Sequence, residues 1–131
     1  PPMSREIVRL VGVYHADGNL VGELRYVFGR MLGTAHCALC DLTHQGVSES
    51  RAFKACRAGL PVPFVLVHLD ERDAAVRAAS EGRTPCVLAD VGDELVMLMS
   101  PSLLDALGGD ATRLQNAIED AVGRAGLRFA V

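Results

Sequence analysis

The chain has 131 residues, half of them hydrophobic, and its 13 Lys and Arg against 16 Asp and Glu give a formal net charge of −3. This length suits one domain with its own core, and the hydrophobic half excludes a disordered chain. Charged residues and glycines interrupt every apolar run, so we expect no membrane span. The net negative charge disfavours a general nucleic-acid binder, so we expect neither a nucleic-acid nor a membrane partner.

The four cysteines are the main clue to function. The first residues lack a basic flank followed by an apolar stretch and a cleavage site, so we expect a cytoplasmic protein. Thiols stay reduced in that compartment, where a close cysteine pair is more often a metal or redox site than a structural disulfide.

The first half of the chain predicts one strand and two helices. Residues 7–14 are rich in β-branched side chains and indicate a buried strand. Apolar residues recur at intervals of three and four over 20–32, which predicts an amphipathic helix. Residues 34–46 show no sustained period and indicate an ordered loop. A second helix is expected over 47–58, with Ser48 as its N-cap.

The second half predicts three strands and three helical segments. A strand is expected at 64–69 and a short helix at 71–80. The strands at 86–89 and 95–99 are joined by a short polar link, which predicts an antiparallel hairpin. Ser100 opens a helical turn, and Asp110 can cap a final helix whose apolar face includes Leu114, Ala117, Ile118, Ala121 and Val122.

This order, β-α-α-β-α-β-β-α, predicts an α/β domain with a central mixed four-stranded sheet flanked by helices. The order resembles the minimal thioredoxin fold, and Thr84-Pro85-Cys86 resembles the loop in which thioredoxin-like proteins carry a cis-proline beside their active site. The resemblance implies one thioredoxin-like domain over residues 1–131. Residues 1–6 are then a candidate disordered end, and residues 17–46 are a candidate insertion.

The cysteine pair is displaced from the position that this resemblance implies. In thioredoxin-like oxidoreductases the pair directly follows the first strand, where this chain has His15 and Asp17, which are candidates either for lining a site or for a simple turn. Two arrangements remain open. Either the helix at 20–32 is inserted and the cysteines return to the sheet end near Pro85, or it is the crossover helix and they lie at the far end. We favour the first, because it gathers the cysteines and the Pro85 loop.

His36-Cys37-x-x-Cys40-x-x-x-His44 is a dense cluster of metal-capable side chains. Two thiolates three positions apart can converge on one ion, and His44 can reach the same ion across one helical turn. His36 is a candidate fourth ligand or supporting group. Thiolate and imidazole together suit zinc or copper. The motif also resembles that of small bacterial proteins of unassigned function. A metal-binding protein is therefore our first hypothesis, with metal-dependent catalysis as an extension of it.

A dithiol–disulfide couple is the competing hypothesis. Cys37 would be the nucleophile and Cys40 the resolving thiol, acting on a small-molecule or protein thiol substrate. His36 beside Cys37 favours a thiolate, whereas the negative charge of Asp41 opposes one. In an enzyme of either kind, His36 or Asp41 would be the nearest acid–base group. A third hypothesis is a non-catalytic interaction module, in which the apolar face of the helix at 20–32 docks a partner or forms a homodimer and the cysteines only pack.

The remaining candidates favour structural roles. Cys56 and Cys86 are expected to be core thiols, although Cys86 could be an extra ligand or resolving cysteine. His68 near a strand end is more often a hydrogen-bonded structural residue than a site residue. A solvated surface is the simplest interpretation of the basic residues Arg25, Arg30, Arg51, Lys54 and Arg57.

Overall fold

The computed structural model describes residues 5–15, 39, 44–45 and 48–130, with the backbone alone at 44–45 and 48–49. The predicted helix at 20–32 and most of the predicted loop at 34–46 lie outside these residues. The described strands are β1 (Arg5–Ile7), β2 (Arg9–Val13), β3 (His44–Gln45), β4 (Ser48–Glu49), β5 (Phe64–Val67), β6 (Cys86–Asp90), β7 (Leu95–Met99) and β8 (Leu127–Phe129). The described helices are α1 (Arg51–Ala58), α2 (Ala74–Ser80), α3 (Pro101–Asp105) and α4 (Leu114–Arg124), with 3-10 turns at Leu69–Glu71 and Ala111–Arg113.

Four strands form the central sheet in the order β5-β2-β6-β7. β2 runs parallel to β5 and antiparallel to β6, and β6 runs antiparallel to β7. Val13 at the end of β2 is opposite both Val67 of β5 and Cys86 of β6. The mixed α/β architecture and the antiparallel hairpin predicted from the sequence are therefore confirmed. The register also places the carboxyl end of β2 beside the loop that precedes β6.

The first predicted strand is split at Val8. β1 leaves the central sheet and pairs in parallel with β8, so that Ile7 is opposite Phe129. Val8 itself is 48% exposed, and its N–H donates to the carbonyl oxygen of Asp90 at 2.8 Å. One continuous strand over 7–14 and no strand after the final helix were predicted, and both predictions are wrong. The break at Val8 results from strand pairing between residues far apart in the chain, and a local sequence pattern does not show such pairing.

The sheet separates two apolar layers. We call the layer on the side of α1, α3 and α4 the large layer and the layer on the side of α2 the small layer. Strand residues alternate between them as a pleated backbone requires, with Leu10 in the large layer and Val11 in the small one. Leu98 and Met99 both enter the large layer, because the register shift between β6 and β7 breaks the alternation there. The large layer includes Ile7, Leu10, Tyr14, Leu39, Phe53, Phe64, Leu104, Leu114 and Ile118, and the small layer is Val11, Val13, Val76, Cys86 and Leu88.

Helix α1 begins later than the sequence pattern predicts. Ser48 was the expected cap, but the backbone of β4 pairs with that of β3 in a short hairpin. The cap is instead Ser50, whose hydroxyl accepts a hydrogen bond from the N–H of Phe53 at 3.1 Å. Phe53 and Cys56 are buried on one face, and Gly59 caps the carboxyl end.

The remaining helices follow the prediction with shifted starts. Glu71 belongs to the 3-10 turn, and α2 begins at Ala74 after its cap Asp73, whose carboxylate accepts from the N–H of Val76 at 2.8 Å. Asp110 caps the 3-10 turn that leads into α4, through a hydrogen bond from the N–H of Thr112 at 3.0 Å. The face of α4 that was predicted to be apolar is buried at Leu114, Ile118, Ala121 and Val122.

Candidate functional site

Most of the predicted site residues lie outside the described residues. His36, Cys37, Cys40 and Asp41 are among these, and so is Asp17, while His44 is described only as backbone in β3. The described side chains contain no group of three or more His, Cys, Asp or Glu placed to hold a metal ion. Within the motif, Leu39 is the one residue whose side chain the structure describes.

Leu39 is fully buried in the large layer. Its contact with the sheet is at Gly12 of β2, where a Cβ would lie 3.2 Å from Leu39 Cδ2 and 2.8 Å from Leu66 Cδ2. Glycine leaves room at this point for side chains from two other segments to close over the strand. The third residue of Cys37-Ala38-Leu39-Cys40 is thus packed on the sheet near the carboxyl ends of β2 and β5.

Tyr14 and His68 follow Gly12 and Leu66 on the same side of the sheet. The N–H of Tyr14 donates to the carbonyl oxygen of Val67 at 2.9 Å, which extends the pairing of β2 with β5 by one residue. The rings of Tyr14 and His68 pack together with their centroids 4.8 Å apart. Tyr14 is 3% exposed and belongs to the large layer, so this aromatic pair marks the carboxyl end of that layer.

His68 is held by Glu71, three residues further along the chain. One oxygen of Glu71, Oε1, accepts from the backbone N–H of His68 at 2.7 Å and lies 2.6 Å from His68 Nδ1. These contacts with the backbone and ring of His68 lower the pKa of the Glu71 carboxyl below its ordinary value. An ionised carboxylate only accepts hydrogen bonds, so Nδ1 carries the proton. Within the described part of the chain, Nε2 of His68 makes no hydrogen bond.

His15 joins the end of β2 to the loop before β6. Its Nδ1 lies 2.8 Å from the hydroxyl oxygen of Thr84, and the Thr84–Pro85 peptide bond is cis. The sequence offered His15 as either a site residue or part of a simple turn. The structure places it against the Pro85 loop, at the same end of the sheet as His68.

Cys56 and Cys86 are the buried core thiols that the sequence predicted. Burial raises the pKa of each thiol to about 11, which keeps both protonated at neutral pH. Cys86 lies in the small layer, whereas Leu39 and Tyr14 lie in the large one. The sheet therefore stands between Cys86 and Leu39.

The prediction that the basic residues of α1 lie on a solvated surface is confirmed in part. Arg51 and Lys54 are exposed. Arg57 is half-buried instead, with its guanidinium 4.8 Å from the centroid of the Phe53 ring, a cation–π contact. Arg25 and Arg30 lie outside the described residues.

The His68–Glu71 pair is the feature that sequence reasoning missed. Glu71 was assigned to a predicted helix, which hid its relation to His68. The available signal was a spacing of three residues between His68 and Glu71 at the end of a strand, which is the spacing of a capping box.

Among the described residues, no helix combines the length and the apolar character that a bilayer crossing requires. Neither family models, nor curated proteins, nor solved structures provide a match to this chain.

Proposed function

We propose that this protein binds a thiophilic transition metal ion, zinc or copper, through Cys37, Cys40 and His44, with His36 beside them. The donor types and their spacing support the proposal, because two thiolates and an imidazole within eight residues form a chelating set for a borderline or soft ion. Thiolate ligands require reduced cysteines, so a reducing compartment such as the cytoplasm is part of the proposal.

The observation that carries the proposal is the position of Leu39. This side chain is fully buried over Gly12, and Cys40 is the next residue in the chain, so a peptide link of about 3.8 Å between Cα atoms ties Cys40 to a fixed point. A nearby fixed point reduces the chain entropy that ligands lose when they gather around an ion.

A thiol–disulfide oxidoreductase is the second candidate. The strand order β5-β2-β6-β7 and the position of His15 against the Thr84–Pro85 loop support a thioredoxin-like arrangement. In this reaction the Cys37 thiolate would attack a substrate disulfide and release one substrate thiolate. Cys40 would then displace the second thiolate from the mixed disulfide, so that the substrate gains two electrons and the cysteine pair loses two.

Metal analysis of protein purified without chelator tests the first candidate. We expect about one equivalent of zinc or copper in the wild type, its loss in Cys40→Ser and its retention in Cys56→Ala, a control at a buried core cysteine. Absence of metal from the wild type, together with failure to take up added zinc, would contradict the proposal. Loss of two free thiols under a mild oxidant, with turnover of a disulfide substrate, would favour the second candidate.

A further inference from the structure

A groove lies beside β8, at the end of the molecule where β2 and β5 begin. Its volume is about 440 Å³, which is within the range of clefts that receive ligand groups. Its apolar lining residues are Leu60, Pro61, Val122, Leu127 and Phe129. The last two pack against the large layer, whereas the Arg128 side chain between them is 53% exposed. A segment that lies along β8 could therefore place apolar side chains in the groove.

One edge of β8 carries backbone groups that no described residue pairs with. Within the described structure β8 pairs with β1 alone. The N–H of Ala130 donates to the carbonyl oxygen of Ile7, and Ile7 is opposite Phe129. Residues 128 and 130 therefore direct their backbone groups to β1, and the N–H and C=O groups of Leu127 and Phe129 point to the other side. An open edge of this kind is a template for another strand.

Gly123 of α4 leaves the groove open. Its φ is not in the positive region, and a Cβ built on it meets no described atom within 4 Å. Neither the backbone conformation nor the described packing requires glycine here, although glycine destabilises a helix relative to alanine. Gly123 lines the groove, so a larger side chain at this position would occupy part of it. An occupied groove explains the glycine.

The charges around β8 favour an acidic residue in the added strand. On the exposed face of β8, Glu6 of β1 is opposite Arg128, with its Oε1 3.4 Å from Nη2. A strand at the open edge would place one residue beside Arg128 on that face, where a carboxylate gives a favourable cross-strand pair. The residues before and after it would point into the groove. Glu119 also lines the groove, but it belongs to α4 and lies on the opposite face of β8, the face of the large layer.

A second copy of the chain suits this edge less well than a different peptide does. In the antiparallel register that overlaps all three residues of two β8 strands, Arg128 would be directly opposite the same residue of the other copy. Like charges in that position destabilise a strand pair. The charges therefore favour a partner that carries a carboxylate at this point.

We infer that this groove binds an extended segment of a partner protein, which adds a strand to β8 and places an acidic residue beside Arg128 with an apolar residue on each side of it. Backbone hydrogen bonds to Leu127 and Phe129 supply affinity in this arrangement, and the alternating side chains supply specificity. The inference is independent of the proposed metal site, because it uses only described residues at the amino ends of β2 and β5.

Peptide binding to the full-length chain, followed by fluorescence polarisation, tests the inference. The probes are the labelled peptides Thr-Val-Glu-Val-Thr and Thr-Val-Lys-Val-Thr, which differ only in the charge of the central residue. Wild type should bind the Glu peptide about 5–10-fold more tightly, because the Lys peptide sets a like charge beside Arg128. Arg128→Glu should reverse this preference. Gly123→Trp should weaken binding of the Glu peptide more than about 10-fold by filling the groove, while the matched control Gly123→Ala should retain it.

Several results would overturn the inference. They are equal affinity of wild type for the two peptides, unchanged binding in Gly123→Trp, and no binding of the Glu peptide up to about 1 mM. Sedimentation of the wild type tests the other occupant. A dimer that Gly123→Trp abolishes would show that a second copy fills the groove and that the assignment to a partner protein is wrong.

A measurement on the wild type keeps the inference testable if Arg128→Glu, which faces Glu6, does not fold. Amide hydrogen exchange is recorded with and without saturating Glu peptide. The amides of Leu127 and Phe129 point to the open edge, so their exchange should slow when the added strand accepts their hydrogen bonds. Unchanged exchange of both amides in the presence of bound peptide would overturn the inference.

Discussion

Gly12→Ala is the sharpest test of how the motif is attached to the sheet. A Cβ at this position would lie 2.8 Å from Leu66 Cδ2, 2.9 Å from Phe64 Cε1 and 3.2 Å from Leu39 Cδ2, all closer than ordinary van der Waals contact. Phe64 is 4% exposed and Leu39 is fully buried, so neither can yield toward solvent. Forcing a methyl group into a filled core costs about 1–3 kcal/mol, and we expect the free energy of unfolding to fall by that amount.

A double-mutant cycle with Leu39→Ala tests how much of the steric clash at Gly12→Ala involves the Leu39 side chain. Leu39→Ala alone should cost about 2–5 kcal/mol, because it empties a fully buried site. In the double variant the new methyl group takes up part of the space that Leu39 leaves. The two losses should therefore fall short of additivity by at least about 0.5 kcal/mol.

Urea unfolding followed by circular dichroism measures all three variants. The control is Gly123→Ala in α4, where a Cβ meets no atom within 4 Å and where alanine should stabilise the helix by about 0.5–1 kcal/mol. A Gly12→Ala chain as stable as wild type would contradict the close packing over Gly12, and strictly additive losses in the cycle would contradict the part of it assigned to Leu39. The support that this contact gives to the proposed site would then be lost.

Two further predictions concern groups away from the site. Burial raises the pKa of Cys56 and Cys86 to about 11, so a thiol reagent should label them only after denaturation, and rapid labelling of either one in the folded chain, located by mass spectrometry, would refute this. The hydrogen bond from Arg9 lowers the pKa of the Asp90 carboxyl below its ordinary value. The ionised carboxylate therefore stabilises the fold at every pH above the ordinary pKa, and this contribution is lost as the pH falls through the lowered pKa. Asp90→Asn should therefore lower the free energy of unfolding by about 1 kcal/mol at neutral pH, a modest loss because solvent screens the part-exposed Arg9. If the difference in the free energy of unfolding between variant and wild type stays constant into strong acid, the assignment is contradicted.

The sequence predicted those parts of the fold that local patterns determine. β6 and β7 are apolar runs bounded by a short polar link, and this pattern alone is sufficient for a hairpin. The buried face of α4 follows from apolar residues at helical spacing, such as Leu114 and Ile118. In both segments the local preference and the packing in the structure agree.

Long-range pairing determines the parts that the sequence did not predict. Val8 is a β-branched residue inside an apolar run, and only its hydrogen bond to Asp90 and the departure of β1 toward β8 reveal a break there. Ser48 and Ser50 are equally good caps by composition. The hairpin formed by β3 and β4 decides between them, because its second strand uses residue 48.

The candidate site divides in the same way. The spacing of Cys37, Cys40 and His44 is a local property and is visible in the sequence. The packing of Leu39 over Gly12 is instead a contact between residues far apart in the chain. No periodicity contains this information, so the attachment of Leu39 to the sheet could not be predicted from the sequence.

The parallel pairing of β1 with β8 determines how the fold would respond to a pulling force. Arg5 is opposite Leu127 and Ile7 is opposite Phe129, so tension on the chain before β1 and after β8 would pull the two strands past each other lengthwise. Their hydrogen bonds, with the one from the Ala130 N–H to the Ile7 carbonyl at 2.9 Å, would then share the load and break together instead of opening one by one. This short pair would act as a shear clamp that must yield before the tension reaches the central sheet.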